Sequence, residues 1–336
     1  MTGWAGRMIG DAPPRTLPLL AALLAALLVM PAIVDSYILS IAILVLYFAY
    51  VGQAWNIMMG FAGQLSLGHS LYVGLGAYAA ASLFVHHGVA PWIGAFAAIG
   101  AAAVAAAIIG ALAFRFGIAG VYFALLTIAF AEFTRIGFDH FPWIGGSGGL
   151  FLPVARHGQS EFWMLRGPPV MFYYVILAMA AMAFAACRLL TVGRIGYYWR
   201  ALREDEDAAR ALGIDTFRYK MLAILISSAM TAPAGVFFAF YYNTLFPEQI
   251  FSMLRSIELI LGPIVGGLGT LFGPILGAFV LTVLAEVLNE VLAALGWEIP
   301  GARQVFYGLC LLVVVMYLPE GIWPALARRL GLERRR

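Results

Sequence analysis

His69, Glu132, Glu258, Glu286 and Glu290 are titratable side chains set in or beside long apolar runs of the sequence. A carboxylate held at membrane depth is costly, so it faces a cavity or a partner and could exchange a proton there. Glu286 and Glu290 are four residues apart and share a helix face. Glu132 and Arg135 are three apart, a spacing that pairs or snorkels. Glu258 and Glu286 read equally well as pathway lining or as polar packing. His69 stands alone and reads as a hydrogen-bonded structural residue rather than a proton carrier or metal ligand. Cys187 and Cys310 lie in apolar runs with neither disulfide nor zinc spacing. The run Gly145 to Gly149 lacks the Lys-Ser/Thr ending of a phosphate-binding loop, and no strand precedes it. There is no Walker A or Walker B motif. The sequence therefore calls for no catalytic residues, no metal and no cofactor.

The elements that hold these groups are helices in a membrane. Hydrophobic residues make up 63% of the chain and charged ones 11%, against about 25% charged in soluble domains. The net charge of +3 is accounted for by loops and gives no reason to expect nucleic acid. The apolar runs are continuous and about 20 residues long, which spans a bilayer as a helix and excludes the alternation of an outer-membrane barrel. Ten spans are expected, at residues 17–34, 37–59, 70–86, 91–114, 118–134, 170–190, 219–241, 252–269, 273–295 and 303–319. The expected fold class is an all-α polytopic membrane protein forming a single domain over residues 1–336.

Charge sets the orientation. Residues Gly193 to Lys220 hold Arg194, Arg200, Arg203, Arg210, Arg218 and Lys220 together with five acids, while Val170 to Cys187 and Met221 to Asn243 carry no charge. Basic loops stay on the cytoplasmic side. Arg7 and Arg15 precede the first span, and Arg328, Arg329, Arg334, Arg335 and Arg336 follow the tenth. An even number of spans separates these groups, so the N-terminal residues 1–16, the loop 193–220 and the tail 320–336 are all expected in the cytoplasm. Arg115 agrees. Arg135, Arg156 and Arg166 fall near or within the long loop 138–169, expected on the periplasmic side, where the rule is weaker. The first apolar run follows a basic leader, but no small-x-small cleavage site follows it, so an uncleaved helix is favoured over a signal peptide.

The charged loop contains a helix signature of its own. Asp205 suits an N-cap, Glu206 and Asp207 suit the positive end of a short helix, and Gly213 suits its left-handed C-terminal position. Ala208, Ala209, Ala211 and Leu212 between them offer a small apolar surface, with Ala208 and Leu212 on one face. A solvated connector has no use for such a face, whereas a groove on a partner protein does.

Two further segments break the apolar pattern. Gly60 to Tyr78 is polar and glycine-rich between two spans. Gln53, Asn56, Gln64, Ser66 and His69 line a water-filled pathway on one reading. On the other, the segment is a short turn and a packing helix served by Gly74, Gly76 and Ala77. Leu261 to Gly277 is rich in glycine and contains Pro263 and Pro274. It is expected to be a broken or re-entrant region, or a close helix crossing.

These three segments carry a resemblance. Asp207-Ala208-Ala209 followed three residues later by Gly213 resembles the EAA-x-x-x-G loop of ABC-importer permeases, with Asp for Glu. The G-x-x-S-L-G-H run ending at His69, with Gly76-Ala77-Tyr78, and the G-G-x-G-x-x-x-G-P-x-x-G run from Gly266 to Gly277 resemble the permeases of branched-chain amino-acid importers. That family is the LivH/LivM type, and the match is closest to the LivM-type subunit. The resemblance covers most of Gly52 to Leu288. It implies that Asp205, Glu206, Asp207, Ala208, Ala209, Leu212 and Gly213 couple to a cytoplasmic ATPase. Implied too are a LivH-type sister permease as heterodimer, two ABC ATPase subunits, a periplasmic substrate-binding protein and an inner-membrane location. The expected bundle is similar to ten-helix type II permeases such as the cobalamin importer's. Urea and short-chain amide importers use related permeases and stay open as alternatives. A proton-coupled secondary transporter, which would use Glu132, Glu258 or Glu286 and need no docking helix, is the rival from another class.

Overall fold

The computed structural model describes residues 25–153, 161–296 and 301–329. Arg7, Arg15, Arg156, Arg334, Arg335 and Arg336, which helped to set the expected orientation, lie outside these residues, as does most of the expected first span. Within that span residues 25–29 are helical and Met30–Ala32 form a 3-10 turn.

The helices are α1 (Ser36–Asn56), α2 (His69–His87), α3 (Pro91–Arg115), α4 (Val121–Asp139), α5 (Pro169–Val192), α6 (Arg194–Glu204) and α7 (Glu206–Ala211). They continue with α8 (Thr216–Tyr242), α9 (Pro247–Ile250), α10 (Met253–Gly266), α11 (Gly273–Ala294), α12 (Ala302–Tyr317) and α13 (Ile322–Arg329). Among the described residues, seven helical segments are long and apolar enough to cross a membrane: Ser36–Phe61, Pro91–Arg115, Val121–Asp139, Pro169–Val192, Thr216–Tyr242, Pro247–Gly266 and Gly273–Ala294. The chain is thus a multi-pass helical membrane protein. The spans expected at 70–86 and 303–319 correspond to α2, which carries more polar residues, and to the 16-residue α12.

The chain divides into two compact units, one of Met1–Tyr50, Pro169–Gly193 and Leu261–Arg336, the other of Val51–Pro168 and Arg194–Ile260. In the second unit α2, α3 and α8 pack together. Helices approach this closely only where small residues meet. A Cβ added to Gly235 of α8 would stand 1.9 Å from the carbonyl oxygen of Val73 on α2, so that position accepts no side chain. The two-residue strands β1 (Leu150–Phe151) and β2 (Thr244–Leu245) pair antiparallel, with Leu150 opposite Leu245. They pin part of the long loop to the end of α8.

In the first unit the glycine-rich run behaves in both ways expected of it. Helix α10 runs through Pro263 to Gly266, the chain leaves helical geometry, and α11 starts at Gly273. The two helices then cross backbone to backbone, because a Cβ on Gly277 would lie 1.8 Å from the Gly262 carbonyl oxygen.

Helix α4 begins later and ends later than the run 118–134 had indicated. Gly117 and Gly120 take positive φ and delay its start. Arg135 does not end it, since its guanidinium pairs with Glu132 one turn before and with Asp139 one turn after, the latter at 2.8 Å.

Candidate functional site

The short helix α7 is built as its residues dictate. Asp205 is extended (φ −157°) and its carboxylate accepts from the Ala208 N–H at 2.9 Å. Glu206 and Asp207 occupy the first turn, where the helix dipole favours them. Gly213 takes φ +84°, a left-handed conformation costly for any residue with a Cβ, and nothing lies where that Cβ would go. Asp215 then caps α8 by accepting from the Arg218 N–H at 3.0 Å. Two successive N-caps fix a sharp, repeatable path through the charged loop.

The loop is anchored at several points within its unit. Trp199 of α6 is fully buried and donates to the Tyr219 carbonyl at 2.9 Å. Arg203 donates to the Gly60 carbonyl, and buried Lys220 donates to Glu206. Arg210 pairs with Glu206 at 3.1 Å and with Asp207 at 3.2 Å. The outward surface mixes charge with apolar groups: Asp207 and Arg210 are exposed, and between and beside them Ala208 and Ala211 are exposed and Leu212 is 82% exposed. Ala209 differs from expectation, being 2% exposed and packed inward. Of the six residues of α7 only Ala209 is buried, and the exposed ones are Asp207, Ala208, Arg210 and Ala211, followed by Leu212.

The polar side chains of the segment 53–69 are internal, although Gly63 is exposed. Gln53 and Asn56, at the end of α1, are buried, as are Gln64, Ser66 and His69. Between them Ile57–Phe61 form a π-helical turn, a geometry that widens the helix by one residue per turn. The Trp55 indole donates to the Ser66 carbonyl at 2.8 Å and folds the extended segment back on α1. Gln64 donates to the Ala62 carbonyl at 3.2 Å.

His69 connects two helices. Its Nε2 lies 2.9 Å from Ser227 Oγ and its Nδ1 lies 3.3 Å from Ser66 Oγ. Ser227 has one hydroxyl proton, and it donates that proton to the Ala54 carbonyl at 2.7 Å. The His69 Nε2–H must therefore donate to Ser227, which leaves Nδ1 to accept from Ser66. This assigns a neutral imidazole with both nitrogens satisfied. Ser66 and His69 are thus hydrogen-bonded within the bundle. Ser70 extends the arrangement: its hydroxyl donates to the Phe251 carbonyl at 3.0 Å, its N–H donates to Ser256 Oγ at 3.0 Å, and Ser256 donates back at 2.7 Å.

Glu258 is half of an ion pair in the same unit, with Arg255 Nη1 donating to its carboxylate at 3.0 Å. Glu286 belongs to the other unit, on α11, where Asn289 donates to it at 3.4 Å. Sequence reasoning passed over Ser227, Ser256, Arg255 and Thr127, whose hydroxyl oxygen accepts from the Leu67 N–H at 3.1 Å. A pair of adjacent serines inside an apolar helix, Ser227-Ser228, was the signal present for the first of them.

The capped, charged loop and the glycine-mediated crossings belong to a multi-pass helical membrane protein, the class that includes the transport permeases. Within that class the chain belongs to the family described as "Branched-chain amino acid transport system / permease component", matched over residues 37–316. It is similar to the high-affinity branched-chain amino acid transport system permease protein LivM of Escherichia coli K12, at 29% identity over 94% of this chain and 76% of the relative. The corresponding LivH protein of that strain is 31% identical over 53% of this chain and 56% of its own length. The autoinducer 2 import system permease protein LsrC of an Enterobacter strain is 34% identical over 44% of this chain and 42% of its own. No solved structure matches the chain.

Proposed function

We propose that this chain is one membrane subunit of an ATP-driven importer that carries branched-chain or related small amino acids across the bacterial inner membrane. The observation that carries the proposal is α7: an anchored, N-capped helix that leaves Ala208, Ala211 and Leu212 exposed beside the charged Asp207 and Arg210. Such a face fits a groove on a cytoplasmic ATPase. The likeness to LivM over 94% of the chain supports the cargo class. ATP hydrolysis falls to two separate ATPase subunits, a reading that family membership supports. A LivH-type sister and a periplasmic binding protein complete the assembly. The chain acts as one permease domain of ten helices in a type II-like bundle, with both termini and the loop 193–220 in the cytoplasm.

Within the bundle, Gln53, Asn56 and Gln64 contribute to the inner half of the path, backed by the Ser66–His69–Ser227 lock. Glu258 and Glu286 serve its polar stretches. Neutral hydrogen-bonding groups suit a zwitterion in transit, because a fixed charge would hold one end of it. Glu132 and Glu258 are each paired with an arginine, so neither is a lone carboxylate of the kind a proton-coupled carrier would use.

The test is uptake of leucine by proteoliposomes containing the sister permease, both ATPases and the binding protein. Uptake should require internal ATP and survive a protonophore. Loss of uptake on collapsing the proton gradient, with no need for ATP, overturns the proposal.

A further inference from the structure

Helix α8 is 27 residues long, or about 40 Å at 1.5 Å per residue, more than the roughly 30 Å of a bilayer's hydrocarbon core. Its two ends therefore open on opposite faces of the membrane. The α7 loop lies at one end. At the other, the end of α8, β2, α9 and the start of α10 enclose an open groove of about 670 Å³, within the 300–1,000 Å³ range of small-ligand sites.

The groove is not a plain apolar cleft. Phe238 and Tyr242 come from α8, Glu248 and Gln249 from α9, Ser252 from the turn that follows, and Arg255 and Glu258 from the first turns of α10. Arg255 and Glu258 are mostly buried, with side chains 17% and 14% exposed. The Arg255 guanidinium lies 4.8 Å from the Phe238 ring centroid. It also donates to Glu258 at 3.0 Å, so it is held from two sides. Ser252 accepts from the Arg255 N–H at 3.1 Å and donates to the Gln249 carbonyl at 3.1 Å, which fixes the backbone that carries the arginine. A guanidinium held this way is a preorganised carboxylate receptor. The neighbouring carboxylate complements an ammonium group, and the rings offer apolar surface to a short aliphatic chain.

We infer that this groove is a weak receiving site for a free zwitterionic amino acid, which lies across the Arg255–Glu258 pair with its side chain against Phe238 and Tyr242. Desolvating an ion pair can cost more than the mutual attraction of its charges returns, and this pair borders an open groove. The site lies opposite the proposed ATPase-docking end, where substrate would be received. The inference rests on the importer reading above and adds to it a substrate contact on the permease itself.

The experiment uses the assembled transporter in lipid nanodiscs without the binding protein, with L-leucine as probe. Saturation-transfer NMR follows the leucine methyl groups, compared with 4-methylpentanoate, which lacks the ammonium, and isopentylamine, which lacks the carboxylate. Wild type should bind leucine in the millimolar range and either analogue at least tenfold more weakly. Arg255→Ala and Glu258→Gln should each weaken leucine at least tenfold. Arg255→Lys, which keeps charge but loses the fork, should weaken it less and controls for folding, with co-purification of the ATPases reporting assembly throughout. Equal binding of leucine and both analogues, or unchanged leucine binding in assembled Arg255→Ala and Glu258→Gln, overturns the inference. So does cross-linking that finds the groove covered by the sister permease in every nucleotide state. If the complete wild-type system fails to take up leucine, the importer reading falls instead.

Discussion

Lys220, a buried lysine in the first turns of α8, donates to the carboxylate of Glu206 in the first turn of α7. The pair ties the exposed helix to a helix long enough to cross the membrane. Lys220 also lies 5.7 Å from the Phe114 ring centroid on α3. A push on α7 therefore reaches α8 through a short, mostly desolvated contact as well as along the chain.

Removing one partner of a buried pair leaves a charge behind, which costs about 3–5 kcal/mol in dry interiors. Here Glu206 is partly exposed and retains Arg210 at 3.1 Å, so the loss should fall below that range. Lys220→Met is expected to lower uptake several-fold while leaving membrane insertion intact. Adding Glu206→Gln should restore part of the loss. A double-mutant cycle on ATP-driven uptake measures the coupling, and strict additivity of the two changes would deny the pair any role.

The two alanines of α7 should behave differently. Ala208 is exposed, so Ala208→Arg should abolish co-purification of the ATPase with little change in thermal stability. Ala209 is packed inward, so Ala209→Leu should overpack its site and cost about 1–3 kcal/mol of stability. Gly213→Ala places a Cβ at φ +84° and should cost about 1 kcal/mol, weakening docking by loosening the cap. ATPase association that survives Ala208→Arg would refute the docking face.

Much of this loop was legible in the sequence because capping is local. Asp205, Gly213 and the acids between them act within one turn of themselves. The inward turn of Ala209 was not legible, since it depends on packing against residues far away in the chain. His69 and Ser227 are 158 residues apart, and nothing at either position announces the other. The start of α4 was misjudged because Gly117 and Gly120 can take either sign of φ. Its end was misjudged because Arg135 reads as a span boundary until Glu132 and Asp139 are seen on either side of it. The glycine-rich run after Leu261 was readable as both a break and a crossing, since proline and small residues demand one or the other.

Orientation can be checked without any partner. Cysteines placed at Gly148 and at Asp205, in a protein lacking Cys187 and Cys310, should label from opposite faces of the membrane. An impermeant maleimide applied to intact cells should reach position 148 and not position 205. Labelling of both from outside would overturn the proposed orientation of the loop 193–220.

The polar segment separates path from packing residue by residue. Ser66 is fully buried and gives its proton to His69. Ser66→Ala leaves the His69 Nδ1 without that donor, at a cost of about 1–3 kcal/mol. Ser66→Leu adds overpacking of similar size. Both should lower the melting temperature of the purified complex, and uptake should fall in step with the amount assembled. Among the described residues the Gln64 amide nitrogen holds a near-neighbour carbonyl, so its side chain is the more expendable to the fold. Gln64→Leu is expected to reduce uptake several-fold while assembly, ATPase docking and melting temperature stay near wild type. The decisive measurement is uptake per assembled complex. If it is unchanged in Gln64→Leu, the inner path does not run past this residue, and the whole segment from Gln53 to His69 is packing.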